Sequence, residues 1–398
     1  MGSWSPRDRL LAAWSGKPAD RLPCSFMIFG ALRRQCRTAE EYVTRQLDLG
    51  LDAFVEIPPR SPLLLRPETI SYDLYGLPVR LNPAAKVTDA LEPGSGGRPL
   101  LRRTYGLPSG TLTTVVEETE DWPHGNRIPL FDDYVIPRGK KRLVATRTDL
   151  KLLRELLADP TTDDLREFRE SAARMKSFAA DRGLATVGEW GVLFDAANWL
   201  CGMEELAEQA IEDPGCVEEL LDVIGTWNLR REAILLEAGI DLLTRRSWYE
   251  TVDFLSPVSY RRFVLPWLKR EVAQAHAAGA KLGCITTSAY TPLLDAYLEA
   301  GIDVLIGQDP IQDARADFAL AKRKLGGKVG LWGGVNGFVT VEQGTPDQVG
   351  AAVDAAVKVL APGGGFILSP VDNVREDSPR AMTNVDAFIA AWKACRQG

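Results

Sequence analysis

The sequence lacks the residue patterns on which metal-binding and disulfide-rich proteins depend. Its 398 residues include only two histidines and six cysteines. The cysteines are scattered without a Cys-x-x-Cys pair, which excludes both the spacing of a zinc finger and the density of a disulfide framework. We therefore expect a protein of a reducing compartment that holds no structural metal.

Long apolar runs and excess positive charge are absent as well. No stretch reaches the roughly 18 apolar residues of a membrane-spanning helix, and the opening segment lacks the apolar core of a secretion signal. The formal net charge of -7 argues against the clustered Lys and Arg that bind phosphate backbones. We expect a soluble, cytoplasmic protein that binds neither membranes nor nucleic acid.

What the sequence does contain is a regular alternation of strand and helix patterns. Short apolar, β-branched runs alternate with amphipathic segments, which is typical of parallel βαβ units. The eight predicted strands lie at residues 24–29, 53–57, 185–190, 241–246, 281–286, 303–307, 328–333 and 365–370. Eight such units predict an α/β fold, a closed (β/α)8 barrel, with residues 1–398 as a single domain.

One region interrupts the alternation. Residues 68–145 contain strand-like segments separated by turn residues, with little helical periodicity. This pattern predicts a β-rich insert that leaves the barrel after the second strand, at its carboxyl end. We expect the insert to cover the mouth of the barrel as a lid, with a surface hairpin of no functional role as the alternative.

Polar and aromatic side chains follow the carboxyl ends of seven predicted strands, where barrel enzymes gather their active sites. In strand order they are Glu56; Glu189 and Trp190; Trp248, Tyr249 and Glu250; Thr286 and Thr287; Gln308 and Asp309; Asn336; and Asp372 and Asn373. Arg33 follows the first strand and is a candidate for pairing with a substrate carboxylate. Simpler structural roles remain open for several of them; Asp309, for example, precedes a proline and could only shape a turn.

Several segments resemble, in the same order along the chain, the motifs of the uroporphyrinogen decarboxylase superfamily and its related methyltransferases. They are RDRLLAAWSGKPADRLP, GEWGVLFDAANWLCGMEEL, FLSPVSYRRFVLPWLKREVAQAHAAGAK, LWGGVNGFVTVEQGTPDQV and GGGFILSPVDNVREDSPRAMTNV. Apart from the insert, the resemblance extends over nearly the whole chain. It implies a (β/α)8 barrel, in agreement with the strand count.

Departures from the superfamily motifs bear on the chemistry. The zinc methyltransferases of this superfamily carry a His-x-Cys pair on strand five and a further Cys after strand eight, whereas here Cys284 stands alone. Uroporphyrinogen decarboxylases carry an Asp after strand two, where this chain has Glu56, and a His after strand eight, where it has Val371 and Asp372. The resemblance therefore implies the zinc-free methyltransferase or demethylase branch.

Removal of a methyl group from an ether or amine requires that the departing oxygen or nitrogen be protonated. The candidate acids are Glu189, Tyr249, Glu250 and Asp372. Indole rings at Trp190, Trp248 and Trp332 would raise the pKa of a nearby carboxyl and offer flat walls to an aromatic or cationic substrate. The remaining candidates, predicted to bind substrate, are Arg33, Glu56, Thr286, Thr287, Gln308, Asp309, Asn336 and Asn373.

The leading hypothesis is methyl transfer or demethylation of a small O- or N-methylated compound. No cofactor is expected within the chain itself; the resemblance implies a corrinoid (cobalamin) carried by a partner protein. Two alternatives stay open, namely decarboxylation of a tetrapyrrole and a barrel that binds a ligand without turning it over. A homodimer is an open alternative to a monomer.

Overall fold

The computed structural model describes residues 4–58, 80–313 and 315–395, and for Ser95, Glu189 and Trp190 it describes the backbone alone. The chain divides into two compact units. The first comprises residues 1–61, 171–190 and 233–398, and the second comprises residues 62–170 and 191–232. Within the described residues, no helix is long and apolar enough to cross a membrane.

Helices and strands alternate through most of the chain. The helices are α1 (Pro6–Trp14), α2 (Gly30–Arg33), α3 (Ala39–Asp48), α4 (Arg147–Leu156), α5 (Arg166–Asp181), α6 (Phe194–Cys201), α7 (Met203–Glu212), α8 (Pro214–Glu237), α9 (Pro257–Phe263), α10 (Leu265–Ala277), α11 (Leu294–Ala300), α12 (Phe318–Leu325), α13 (Pro346–Leu360) and α14 (Pro379–Cys395). The strands are β1 (Phe54–Ile57), β2 (Arg80–Leu81), β3 (Lys86–Glu92), β4 (Leu100–Leu107), β5 (Gly110–Glu117), β6 (Gly139–Lys141), β7 (Leu157–Ala158), β8 (Ala185–Gly191), β9 (Leu242–Arg246), β10 (Lys281–Ile285), β11 (Val304–Gln308), β12 (Gly330–Asn336) and β13 (Phe366–Val371).

The first unit is built on a seven-stranded sheet in the order β1-β8-β9-β10-β11-β12-β13, with parallel ladders. These strands are seven of the eight predicted ones. Sequential strands are neighbours, and helices connect most of them, as in a (β/α)8 barrel. The predicted barrel fold is confirmed.

The first predicted strand, residues 24–29, forms single bridges instead of a continuous ladder. Parallel bridges join it to β13 and the loop that follows, at Cys24–Leu368 and Ile28–Asn373. On its other side the carbonyl of Cys24 accepts the backbone N–H of Asp52, which precedes β1, at 2.8 Å. This segment therefore lies between the two edge strands of the sheet.

The start of α13 agrees with the capping residues in its sequence. Thr345 is the N-cap of α13, where its side chain accepts the backbone N–H of Gln348, and Pro346 occupies the first turn. The capping box satisfies N–H groups that the helix itself cannot bond. The helix therefore begins where its sequence predicts.

The second unit contains the predicted β-rich insert. Its antiparallel sheet has the order β3-β4-β5-β6, and β2 pairs with β7. Packed residues of this unit include Leu101, Val116, Trp122, Ile128 and Val135. The described part of the insert is thus rich in strands, as predicted, whereas residues 68–79 lie outside the described residues. Its role as a lid stays a prediction.

Candidate active site at the carboxyl ends of the barrel strands

Two aromatic rings identify the interior face of the barrel. The ring centroids of Phe54 on β1 and Trp332 on β12 lie 5.6 Å apart, although β13 and residues 24–29 separate their strands. Rings on strands that far apart in the sheet meet only across the interior. Because side chains alternate along a strand, Glu56 shares the interior face with Phe54.

The end of β9 places one arginine on each face of the sheet. The Nε of Arg245 donates to Glu271 on α10 at 2.5 Å, so Arg245 points toward the surrounding helices. The next residue, Arg246, therefore faces the barrel interior. Arg246 is only 4% exposed, and its guanidinium lies 4.1 Å from the centre of the Trp248 ring.

Two carboxyls share the interior with Arg246. Burial raises the pKa of Asp372; the nearby charge of Asp309 raises it further, while Arg375 and Arg246 lower it. Strands β10, β11 and β12 separate Arg246 on β9 from Asp372, which follows β13. Both residues stand at the carboxyl ends of their strands, near enough for the charge of Arg246 to lower the pKa of Asp372.

Asp309 is fully buried and makes several hydrogen bonds. Its Oδ1 accepts the backbone N–H groups of Ile311 at 2.7 Å and Gln312 at 3.0 Å. Its Oδ2 accepts the side-chain amide of Asn336 at 2.7 Å. Burial raises the pKa of Asp309, and these hydrogen bonds partly oppose the rise. The structure thus brings together two of the predicted site residues, Asp309 and Asn336.

Asp372 has a backbone conformation that is uncommon for a residue with a side chain. Its φ of 64° lies in the left-handed region, which costs energy and occurs often at functional sites. The adjacent Asn373 fixes the loop, because its Oδ1 accepts the backbone N–H of Gly30 at 3.0 Å. The side chain of Asp372 is 35% exposed, so a substrate can reach its carboxyl group.

Arg33 and Glu56 form an ion pair at the same ends of the strands. Nη2 of Arg33 lies 2.6 Å from Oε2 of Glu56, and both side chains are largely buried. The Arg33 guanidinium also lies 4.1 Å from the centre of the Tyr42 ring. Two residues predicted to bind substrate are therefore paired with each other.

The three predicted site residues after β9, which are Trp248, Tyr249 and Glu250, lie in different environments. Trp248 stacks under Arg246, and the ring of Tyr249 packs edge-on against Phe254, 5.3 Å away. Glu250 is completely buried, and both its carboxylate oxygens accept hydrogen bonds from Arg245. Glu250 thus belongs to an ion-pair network on the helix-facing side of β9, apart from the interior carboxyls.

The other predicted residues take varied positions. Gln308 is fully buried, and its amide donates to the carbonyl of Leu305 at 2.9 Å. Thr286 is buried and donates to the carbonyl of Ser288 at 3.3 Å, whereas Thr287 is half-buried. The side chains of Glu189 and Trp190 lie outside the described part of the structure, so their roles stay predictions.

Trp332 packs in the barrel core. Its Nε1 donates to the carbonyl of Ser25 at 2.8 Å, and its ring lies 6.3 Å from that of Trp14 and 5.6 Å from that of Phe54. It is 2% exposed. Trp332 is therefore packed among aromatic residues of the core. These contacts give it a structural role, although the sequence analysis predicted that its indole ring lines the substrate site.

The residues that the structure describes do not fit a catalytic zinc ion. Burial raises the pKa of Cys284 to about 12, and the neighbouring ion pair of Arg245 and Glu271 is equally buried. Over the described ranges, no group of three or more His, Cys, Asp or Glu residues could hold a metal ion. A zinc site requires at least three such protein ligands.

The sequence reasoning missed Arg246. The signal was present, because the strand segment DLLTRR ends in two arginines and alternation places one of them inside. The residue that identifies Arg245 as the outward-facing arginine is Glu271 on α10. Only the structure supplies that partner.

Known proteins of similar sequence and fold agree with this architecture. The methylcobamide:CoM methyltransferase MtaA of Methanosarcina barkeri is 21% identical over 384 residues, which cover 94% of this chain and 97% of that protein. The same enzyme of M. barkeri strain Fusaro matches to the same extent. A solved methyltransferase structure from Methanosarcina mazei shares the fold, with a TM-score of 0.60, 17% identity, and coverage of 98% of this chain and 99% of that one.

Family membership rests on a match to a family sequence profile. The sequence profile described as "Uroporphyrinogen decarboxylase (URO-D)" matches residues 130–395. The match includes β8 to β13, with Arg246 at the end of β9, and the loops that carry Asp309 and Asp372. Because this match spans well over half of the 398 residues, the chain belongs to the uroporphyrinogen decarboxylase family.

Proposed function

We propose that this protein removes a methyl group from a small O- or N-methylated compound and passes it to a corrinoid carried by a separate protein. The similarity to enzymes named methylcobamide:CoM methyltransferases supports the corrinoid as co-substrate. The barrel interior supports the other half of the reaction, because it presents a protonatable acid at the strand ends.

The observation that carries the proposal is the state of Asp372. Its side chain is 35% exposed, and burial raises the pKa of its carboxyl, so it holds its proton at a higher pH than an ordinary aspartate. A general acid of this kind accelerates bond cleavage by roughly 100- to 10,000-fold. Asp309 strengthens the effect, since two nearby carboxyls resist simultaneous ionisation.

The proposed step exchanges the bond between the methyl carbon and the substrate heteroatom for a bond between that carbon and cobalt. The bond between the methyl carbon and the substrate oxygen or nitrogen breaks, and its electron pair stays on the heteroatom. That heteroatom takes the proton of Asp372, while the reduced cobalt of the co-substrate donates the electron pair of the new bond to carbon. Asp372 is then left as a carboxylate, which solvent reprotonates.

Two other predicted acids remain candidates in addition to Asp372. Glu189 and Tyr249 stay predicted proton donors, since Glu189 lies near the carboxyl end of β8 and Tyr249 follows β9, the neighbouring strand. Glu250 is a weaker candidate because Arg245 binds both of its oxygens, and an ion pair holds a carboxyl in its ionised form. Zinc-activated thiol chemistry forms no part of the proposal, because the ligand set does not fit.

The test uses the purified protein with free cob(I)alamin as methyl acceptor and a panel of O- and N-methyl compounds. We expect absorbance spectroscopy to record methylcobalamin formation with at least one compound. Asp372→Asn should lower that rate about 100-fold or more, whereas Asp377→Asn, which removes an exposed carboxylate of the same loop, should leave it unchanged. A full rate in Asp372→Asn would eliminate the assigned acid, and formation of coproporphyrinogen from uroporphyrinogen would replace methyl transfer with decarboxylation.

A further inference from the structure

Asn336, the last residue of β12, lies between the two residues that carry the carboxyls of the site. Its backbone pairs with Val371 in the parallel ladder, and Asp372 is the next residue along the chain. Toward β11 its side chain contacts Asp309, because Nδ2 donates to Oδ2 at 2.7 Å. Neighbouring strands of a sheet lie about 4.8 Å apart, so Asn336 adjoins both of the loops that carry these carboxyls.

The turn that follows β12 fixes the direction in which the Asn336 amide points. Its Oδ1 accepts the backbone N–H of Val339 at 2.5 Å, and a backbone N–H can only donate. The Nδ2 end therefore faces Asp309 and acts as a donor there. Asn336 is only 2% exposed, so the buried amide has a partner within the chain at each end.

Asp309 has the surroundings of an ionised carboxylate. Among the described residues its hydrogen bonds come from donors, namely the backbone N–H groups of Ile311 and Gln312 at 2.7 and 3.0 Å and the amide of Asn336. An ionised carboxylate accepts hydrogen bonds without donating any, which matches this set. Burial opposes the charge, so the donors are what stabilises it. The Tyr290 phenol, after β10, is a titratable group within range of this charge.

The charge of Asp309 acts on Asp372. Burial raises the pKa of Asp372 and Asp309 raises it further, while Arg375 in the same loop and Arg246 on β9 lower it. Two nearby carboxyls resist simultaneous ionisation, so an ionised Asp309 favours a protonated Asp372. Without Asn336 as its donor, Asp309 would take up a proton more readily. Its charge would then disappear, and Asp372 would lose its own proton at lower pH.

We propose that Asn336 is a positioning residue that acts through Asp309, because its amide keeps Asp309 ionised and the charge of Asp309 keeps the proton on Asp372. The part of Asp372 as the reacting acid rests on the proposed function. The link from Asn336 through Asp309 to Asp372 is a property of the free protein and is tested there.

A carbon NMR titration of the full chain tests the inference without substrate or corrinoid. The protein carries carbon-13 in its aspartate carboxyl groups, and the signals of Asp372 and Asp309 are those missing from Asp372→Asn and Asp309→Asn. Leucine resembles asparagine in shape but has no donor. We therefore expect Asn336→Leu to move the ionisation of Asp372 to lower pH and that of Asp309 to higher pH.

A double-mutant cycle separates an effect through Asp309 from a general structural effect. Asp309→Asn removes the charge, so it should by itself move the ionisation of Asp372 to lower pH. Adding Asn336→Leu to Asp309→Asn should then produce no further shift. Equal shifts from Asn336→Leu in both backgrounds would overturn the inference, because they would show that Asn336 acts on Asp372 without Asp309.

Asn384 on α14 provides a matched control. It is 1% exposed, and its amide donates at 2.9 Å to the carbonyls of Val341 and Gly344, which lie in and after the turn that follows Asn336. Asn384→Leu therefore removes a buried amide that holds the same turn but is not bonded to Asp309. It should leave the ionisation of Asp372 unchanged, and a shift equal to that of Asn336→Leu would overturn the inference.

Thermal unfolding curves verify that each variant is folded, and Asn336→Ala replaces Asn336→Leu if the latter is not. Should neither fold, Asp309→Asn alone decides, since an unchanged ionisation of Asp372 in that variant would refute the link. An unchanged ionisation of Asp372 in a folded Asn336 variant would refute it as well. Failure of the proposed function looks different, because the ionisation of Asp372 then still shifts as expected while no methylcobalamin forms.

Discussion

At the scale of single residues, the chemistry depends on how Asp372 holds its proton. The carboxyl lies between influences of opposite sign, since burial and Asp309 raise its pKa while Arg375 and Arg246 lower it. The backbone at this position, directly after the end of β13, is left-handed, with a φ of 64°. A residue that is strained and has a perturbed pKa is a strong candidate for a functional role.

This balance predicts the pH dependence of methyl transfer. The acid works in its protonated form, so the rate should be high below the raised pKa of Asp372 and fall as the pH increases through it. Arg375→Met removes a charge that lowers this pKa, and should therefore move the fall in rate to higher pH. Rate–pH profiles of both proteins with cob(I)alamin check the expectation, and a shift to lower pH in Arg375→Met would contradict it.

At the scale of elements, the loop after β13 is held by a residue of the preceding loop. Glu342 ends the short π-helical turn Gly337–Glu342 and is only 4% exposed. Its Oε1 accepts the backbone N–H groups of Arg375 and, at 3.1 Å, Glu376. The carboxylate therefore anchors the loop that begins with Asp372.

We expect Glu342→Ala to release this loop, because two partly buried backbone N–H groups lose their acceptor. Hydrogen exchange at the amides of Arg375 and Glu376 should accelerate at least about tenfold, corresponding to the roughly 1.4 kcal/mol or more that a charged hydrogen bond contributes. Glu342→Gln retains a carbonyl oxygen at the same place and serves as the control. Unchanged exchange in Glu342→Ala would show that the loop is held by other contacts.

The junction of β9 and α10 is an ion-pair network without access to solvent. Arg245 binds Glu250 and Glu271, and the side chains of all three are 0% exposed. Burial raises the pKa of Glu271, and the charge of Arg245 opposes the rise. Removal of the arginine would leave two buried carboxyls without their counter-ion.

We therefore predict that Arg245→Met lowers the free energy of unfolding by about 3–5 kcal/mol, as measured by urea denaturation. Glu250→Gln should lower the free energy of unfolding by less, because Arg245 still pairs with Glu271. This variant should also retain methyl transfer if the role of Glu250 is structural. Normal stability with lost turnover in Glu250→Gln would contradict this prediction and would show that Glu250 takes part in the reaction.

At the scale of the whole molecule, the metal-binding side chains available in the barrel determine how much zinc the protein should retain. Cys284 is fully buried, and its raised pKa disfavours the thiolate that binds zinc. We expect purified protein exposed to zinc and then dialysed to retain much less than one zinc per chain by elemental analysis. Cys284→Ser should leave that amount unchanged; one zinc per chain that disappears in Cys284→Ser would establish a metal site there.

Much of the architecture follows from sequence periodicity. Seven predicted strands recur in the sheet, and the cap at Thr345 starts its helix as expected. Residues 24–29 also lie where a first strand belongs, but form only bridges. Their partial pairing depends on contacts with β13, which lies more than 300 residues away in the chain. Local periodicity cannot predict contacts between segments so far apart in sequence.

The sequence predicted which residues lie at the carboxyl ends of the strands better than it predicted what surrounds each side chain. Strand ends identified Asp309, Asn336 and Asp372, because the barrel fold fixes where carboxyl ends meet. The same rule could not separate Glu250, which turns toward α10, from these interior residues, nor could it recognise that Trp332 packs in the core. These assignments depend on partners from distant segments.

The sequence by itself determined the order of strands and helices, the family and the loops that carry polar groups, since these follow from local periodicity and motifs. The tertiary structure alone decided which of two adjacent arginines enters the barrel and which carboxyls influence each other's protonation. Charge and burial act through space, between residues that the chain separates widely, so their effects exist only after the strands have come together.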